Sequence, residues 1–363
     1  MSRRKCSIAA AMAAASSADA VAWRTSIRGR RGCRLPLVLT RATKGTLVRM
    51  ADIATFDHDT VLAVVDPAEA IDRVRQGFVE YASGEWSMPP KVYLEVPNGD
   101  FRAMPARGGG IAILKWVTSF PGNPAVGLPV VQGMICVSDA ASGSMLALVD
   151  VRAVTALRTG AVAAVAAQEL AREDARTVGL VGCGLHGSWA ARCLAAAEYG
   201  PGICFDPNPE AAGSLAGELG WEAGTREDAL DCDVVTCVTP GRQPVVRAGE
   251  VGPGTHLNML GADGPGKAEA EIEVVERARL FCDEWAQASH GGELTGAVEA
   301  GRITREQVTE LGAVLTGAAP GRSSVQETTL FDSTGLAIQD VAVCLAVLEA
   351  AGAGIVKPGR AHL

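Results

Sequence analysis

TVGLVGCGLHGSWAARCLAAAEYGPGICFD, Thr177–Asp206, is the stretch that decides the fold. Val178, Leu180 and Val181 make the short apolar run that a parallel strand buried on both faces needs. Gly182, Cys183, Gly184, Leu185, His186 and Gly187 follow at once as G-x-G-x-x-G. In this pattern Gly182 allows a tight turn, Gly184 lets the backbone approach a pyrophosphate, and Gly187 lets the next helix pack close to the strand. That helix opens near Gly187 with free N–H groups and a partial positive charge aimed at phosphates. A second strand, Ile203-Cys204-Phe205, ends in Asp206, 24 residues beyond Gly182 and near the spacing of the acid that holds the adenosine ribose. Pro207 and Asn208 come next, with no Arg or Lys to receive a 2′-phosphate, so the pattern favours NAD over NADP. The plain alternative is a glycine turn with a chance acid after a strand, and the flanking strand and helix argue against it.

Composition bounds the rest. The chain has 363 residues, 48% hydrophobic and 20% charged, which is a globular composition with room for two domains. No run of eighteen apolar residues is present, so no bilayer span is expected and the membrane is not a partner. The net charge is −8, yet residues 1–49 carry eleven Lys or Arg against one acid, Asp19. The remainder is therefore more acidic than the whole, which argues against nucleic acid as a partner. Ten cysteines show no C-x-x-C pair and no zinc-like spacing. They read as small core hydrophobes of a reducing compartment, the cytoplasm, and no metal site is expected.

Along the chain, residues 1–49 combine an alanine-rich run with scattered Arg and Ser. They read as an organelle transit segment or as an upstream extension from a misplaced start codon, with the domain beginning at Met50. Asp66-Pro67 supplies an N-cap and first-turn proline, and Ile71, Val74, Phe78 and Tyr81 continue a helix to about Ser83. Strand-like segments follow at Lys91–Leu94, Phe101–Ala106, Ile111–Ser119, Val130–Asp139 and Met145–Val149, joined by hairpin turns at Pro97–Asp100 and Ala141–Ser144. They predict an antiparallel sheet. Arg152–Arg172 reads as an alanine-rich helix leading into the nucleotide strands, which continue at Asp233–Val238, His256–Met259 and Arg279–Cys282. A helix is expected at Arg305–Leu315, a linker at Ala319–Arg322 and a last helix at Ile338–Ala350. The fold class is thus α/β: a Rossmann NAD-binding domain over 171–319, and an antiparallel-sheet substrate and dimerisation domain over 50–170 with 320–363.

The antiparallel half supplies cations in an orderly way: Lys91 in PPKVYLE, Arg102 in DFRAMPA, Lys115 in AILKWVTSFPGNP and Arg158 in TALRTGA. If Lys91 and Arg102 sit on paired strands of the hairpin around Asn98-Gly99, they share a face and can hold a carboxylate. Each taken alone also suits a solvated surface. Lys115 does not, because it interrupts an apolar strand, where an ammonium must be paired or functional. Asn258–Glu269, NMLGADGPGKAE, stands at the carboxyl end of a parallel strand, where ligands collect in open α/β sheets. Asp263 there is a candidate to move a proton at a reacting nitrogen, and equally a turn-stabilising acid.

From about Asp52 to Ala351 the chain resembles the ornithine cyclodeaminase and mu-crystallin family. The matching stretches are K-x5-P-G-N-P at Lys115–Pro124, GLPVVQG at Gly127–Gly133, ALRTGA at Ala156–Ala161, GADGPGK at Gly261–Lys267 and FDSTGLAIQD at Phe331–Asp340. The resemblance implies a homodimer formed by the antiparallel sheets, with a cleft between sheet and NAD domain. It implies Lys115 near the reacting carbon, Asp263 as acid–base carboxylate, and Arg158 as a carboxylate or phosphate contact. Thr334-Gly335 would lie near the nicotinamide, and Thr239 joins Gly182, Gly184, Leu185, His186, Gly187, Asp206 and Gly335 as the cofactor-binding set. Lys91 stands where the cyclodeaminases carry arginine, and an Arg eleven residues later resembles the alanine dehydrogenase branch.

The expected reaction is oxidative deamination of a small L-amino acid by NAD, or its reverse. Hydride leaves Cα, and water activated by Lys115 or Asp263 attacks the imine, while Lys91 and Arg102 fix the carboxylate. Three alternatives share the scaffold: cyclisation of ornithine to proline with loss of ammonia, reduction of a cyclic ketimine, and a mu-crystallin-like binding protein without turnover.

Overall fold

The computed structural model describes residues 52–264 and 266–361. The expected extension over 1–49 and the start at Met50 lie outside the described residues. The chain runs β1 (Ile53–Phe56), α1 (His58–Val64), α2 (Pro67–Ala82), β2 (Val92–Val96), β3 (Gly99–Gly108), β4 (Ile111–Ser119), β5 (Val131–Asp139), β6 (Met145–Asp150) and α3 (Val151–Leu170). It continues with β7 (Val178–Val181), α4 (Leu185–Ala196), β8 (Gly202–Phe205), α5 (Pro209–Leu219), β9 (Glu222–Ala223), α6 (Arg226–Leu230), β10 (Val234–Cys237) and β11 (His256–Met259). Then come α7 (Ile272–Arg277), β12 (Arg279–Cys282), α8 (Trp285–Gly291), α9 (Thr295–Glu299), β13 (Val308–Glu310), α10 (Leu311–Leu315), β14 (Thr329–Asp332), α11 (Ala337–Gly352) and β15 (Gly359–Ala361).

The first sheet has the order β15-β1-β6-β5-β4-β3-β2. From β2 to β6 it is an antiparallel meander, as the hairpin turns predict. It is not antiparallel throughout, because β1 lies parallel to β6. No tight turn joins those two, so hairpin geometry does not impose a direction on them. Along β4 the pleat turns Ile113, Lys115 and Val117 inward and leaves Leu114 and Trp116 exposed. The inner face is covered by α11, in a core shared with α2 and α3. On the outer face Val92, Leu94, Leu114, Trp116 and Met134 are exposed, and Phe101 stacks on Trp116 with centroids 5.6 Å apart. The helices follow their caps. Asp66 accepts from the Glu69 amide at 2.8 Å to start α2, and Asp150 accepts from Ala153 at 2.8 Å to start α3. α3 is alanine-rich because it is buried nearly all round.

The second sheet has the order β13-β12-β14-β11-β10-β7-β8-β9, with every pair parallel. Strand order reverses at β7, where β8 and β9 lie on one side and β10 on the other, so a crevice opens beyond the carboxyl ends of β7 and β10. Two expectations are corrected here. The nucleotide sheet does not close near residue 319, because β14 lies between β11 and β12. It is a four-residue, wholly buried run, too short for periodicity to reveal. Arg305–Leu315 is not one helix either: Val308–Glu310 pairs with β12 as strand β13, and that pairing overrides the helical pattern.

Among the described residues the eight cysteines are free thiols, seven of them buried. No described helix is long and apolar enough to cross a membrane.

Candidate active site

The glycine turn leaves β7 at Gly182, whose φ of +102° needs a residue without a side chain and whose Cβ would meet the Val238 carbonyl oxygen at 2.6 Å. A Cβ on Gly187 would run into the Gly182 carbonyl, so helix and turn touch as the motif requires. Gly184 differs: a Cβ there would meet nothing within 4 Å. It is the N-cap of α4 and offers no side-chain cap, so the first amides of α4, beside Leu185 and His186, face an open cradle. This donor set fits a pyrophosphate. Asp206 is fixed beside it, one oxygen accepting from the Cys183 amide and the other from Asn208, both at 2.8 Å. Each oxygen keeps a lone pair for a ribose hydroxyl.

Glu269 ties the next two strand ends together. Its Oε1 accepts from the amide and hydroxyl of Thr239 at 2.6 and 2.8 Å, and its Oε2 from the Gly261 amide at 2.7 Å. Burial pushes this carboxyl up to about 7, against the pull of those donors.

A recess lies between the two sheets. Lys91, Arg102, Lys115 and Arg158 reach it from the first half, and His186, Asp263, Thr334 and Gly335 from the second. The register explains the first three. Arg102 pairs with Tyr93, so Lys91, two residues earlier, shares its face, and Met104, two beyond Arg102, pairs with Lys115. Arg102 donates from Nη1 to Asp263 at 2.6 Å and from Nε to Asp100 at 2.6 Å. Lys267 donates to the other Asp263 oxygen at 2.6 Å. Burial works against ionisation of Asp263, but these two cations outweigh it and hold the carboxyl well below its usual range.

Lys115 is 1% exposed and donates to Asp340, itself fully buried, at 2.7 Å. Desolvation lowers the ammonium to about 8, with Asp340 opposing and Arg158 assisting the shift. Lys91 is also lowered to about 8 by burial; its ammonium donates to the Thr334 carbonyl at 2.6 Å, and among the described residues it has no ion-pair partner. Arg158 donates to Gln339 at 3.2 Å and reaches Asp340 at 3.7 Å, while its Nε and Asp340 Oδ2 are buried without hydrogen bonds. Unspent capacity of this kind suits a ligand. Burial, then Arg158, lowers His186 to about 4, so it presents a neutral imidazole.

The recess thus gathers all five expected catalytic and substrate-binding residues, with His186 and Gly335 of the cofactor set. Gly182, Gly184, Leu185, Gly187 and Asp206 line the neighbouring crevice, and Thr239 faces Glu269 beneath it. Asp263, expected as the acid–base carboxylate, sits in the recess with one oxygen on Arg102 and the other on Lys267. Sequence reasoning passed over Asp340, although it closes the quoted stretch FDSTGLAIQD. It also passed over Asp283 and Glu269, whose signal was an acid just beyond, or shortly after, a parallel strand.

The fold and recess define a two-domain protein of the dinucleotide-dependent dehydrogenase class, its substrate sheet facing the carboxyl ends of the nucleotide sheet. The chain belongs to the ornithine cyclodeaminase/mu-crystallin family, whose profile matches residues 53–354. It is 43% identical over 299 residues to the alanine dehydrogenase of Archaeoglobus fulgidus, covering 80% of this chain and 93% of that one. The iminosuccinate reductase of Paracoccus denitrificans is 37% identical over 240 residues, 64% of this chain and 74% of that protein. A solved archaeal alanine dehydrogenase dimer with bound NAD superposes with a TM-score of 0.82 at 40% identity, covering 86% of this chain and 99% of that one.

Proposed function

We propose that this chain is an NAD-dependent oxidoreductase of the CH–NH2/C=N group of a small L-amino acid or its imine, working as an alanine dehydrogenase does. The observation that carries the reading is the meeting of Lys91, Arg102, Lys115 and Arg158 with Asp263 at the mouth of the dinucleotide crevice. NAD supplies a hydride acceptor, held by the amides of α4 and by Asp206. Lys91, which lacks a carboxylate partner, takes the substrate carboxylate with Arg102, and Arg158 closes on it from the other side. Asp263, engaged by Arg102 and Lys267, holds the Arg102 guanidinium in place for the substrate carboxylate. Lys115, lowered to about 8, takes the proton from the attacking water and returns it to the departing ammonia.

Lys91, which has no ion pair among the described residues, and Arg158, whose Nε is buried without a hydrogen bond, also support a second reading, reduction of an imine that carries two carboxylates, as the name of the Paracoccus relative indicates. Cyclisation of ornithine is less well supported. A distal ammonium would have to share Asp263 with Arg102 and Lys267, which already occupy both its oxygens. The exposed apolar face of β2, β4 and β5 supports a homodimer that packs these sheets together.

The test is a panel of amino acids and 2-oxo acids with NAD and NADP. Alanine should yield NADH, and pyruvate with ammonia should consume it. Oxaloacetate with ammonia as the better pair would favour the dicarboxylate reading. Proline formed from ornithine without net NADH would overturn both, and NADH binding without any turnover would leave a binding protein.

A further inference from the structure

We propose that Asp283 is a positioning residue of this reaction, which holds the Lys91 ammonium in place for the substrate carboxylate by pinning the Thr334–Gly335 backbone. The proposal rests on the reading of Lys91 as a carboxylate ligand. Asp283 directly follows β12, belongs to the nucleotide half and is 3% exposed. Its Oδ2 accepts from the Gly335 amide at 2.8 Å and its Oδ1 from the Glu284 amide at 2.8 Å. The Thr334 hydroxyl lies 3.1 and 3.2 Å from the two oxygens. The carbonyl of the same Thr334 receives Lys91 Nζ at 2.6 Å. A continuous chain therefore runs from Asp283 through one peptide to the ammonium on the opposite sheet. Gly335, at a φ of +77°, would drive a Cβ into the Arg158 guanidinium at 2.5 Å, so the same pinned loop also backs onto Arg158.

Electrostatics adds a second link. Lys91 faces Asp283 and Asp263, which favour its charge, and Arg102, Arg158 and Lys115, which oppose it. Asp283 faces Lys91 and Asp332, with Tyr81 and Tyr93 within its field. Burial raises Asp283 to about 6 and lowers Lys91 to about 8, so both are charged at neutral pH, and Asp283 is the largest support of the ammonium. Asparagine keeps the shape but removes the charge, and its amide must turn one N–H against a backbone N–H.

The experiment compares full-length wild type with Asp283→Asn and Thr334→Val. In wild type the amino-acid KM should rise above about pH 8 as Lys91 loses its proton. In Asp283→Asn that rise should move down by about one pH unit, with KM at neutral pH raised about tenfold or more and the NADH dissociation constant little changed. Thr334→Val keeps the charge and cuts the hydroxyl link, so KM should rise while its pH dependence stays where it was. A merely structural role would lower thermal stability without moving the pH dependence. The pH dependence of Lys91 acetylation by acetic anhydride on the NADH complex, read by mass spectrometry, reports the same shift without turnover. If Asp283→Asn folds, unchanged KM and unchanged labelling overturn the proposal. If it does not fold, an unchanged KM in Thr334→Val overturns it. Absence of wild-type turnover would instead sink the catalytic reading, and labelling would then decide the Asp283–Lys91 link alone.

Discussion

Lys115 is held close to its point of proton exchange by two opposed forces: burial, which disfavours the charge, and Asp340, which restores part of it. If it serves as the base for water in deamination, kcat in that direction should rise through about pH 8. In reductive amination, where it must start protonated, kcat should fall through the same value. Lys115→Met should lose about 10²–10⁴ of kcat while NADH still binds, and matched pH–rate profiles check the opposed limbs. Profiles that share one direction would assign the proton to another group. The lysine was legible in sequence because an ammonium inside an apolar strand has few explanations. Its partner was not, because Asp340 lies 225 residues away in a helix that reads as plain apolar core. Asp283 escaped for a related reason: an acid after a strand is common, and only the fold brings it under Thr334.

At the scale of elements, the amino end of α4 and the outer face of the first sheet carry separate expectations. Gly184 has room for a methyl group and an ordinary φ of −72°, so Gly184→Ala should fold with an unchanged melting temperature. The same methyl would stand where the pyrophosphate approaches, and NADH affinity should drop about tenfold or more, read by fluorescence titration. Unaltered affinity would place the phosphates elsewhere. On the sheet, Trp116→Glu puts a charge in the centre of the exposed apolar face. Sedimentation should show a dimer become a monomer, and a monomeric wild type would remove the basis for that interface. Elements with a strong local signature were readable: the meander through its turns, α2 through its cap and stripe, β7 through the glycines that follow it. β13 and β14 were not, because runs of three or four residues declare themselves only when neighbouring strands supply their partners.

For the molecule as a whole, the buried acids set a dependence on pH. Burial pushes Glu269 up to about 7, Glu293 up to about 8 and Asp332 well above the carboxylate range. Each binds its proton more tightly in the folded chain, so its contribution is complete below the unfolded value, 4.5 for the glutamates and 3.8 for Asp332, and is lost as pH rises through the folded value. His186 and His256, lowered to about 4 and about 3, act in the opposite sense, but only below about 6.5, where the unfolded chain still takes up protons. The depressed Lys91 and Lys115 likewise add stability with rising pH only above about 8. From about pH 6.5 to 8 the urea midpoint should therefore fall, and Glu293→Gln should flatten the fall. A midpoint that holds or climbs would mean the acids are ionised throughout.

The placing of β14 in the middle of the nucleotide sheet bears on how the protein is made. The ribosome has released both neighbours, β11 and β12, long before it delivers the strand that must lie between them. The substrate sheet waits as well, since α11 covers its inner face and β15 borders its edge. Neither half is complete until β14, α11 and β15 have been made. A nascent chain stalled before β14 therefore exposes two unfinished sheets together.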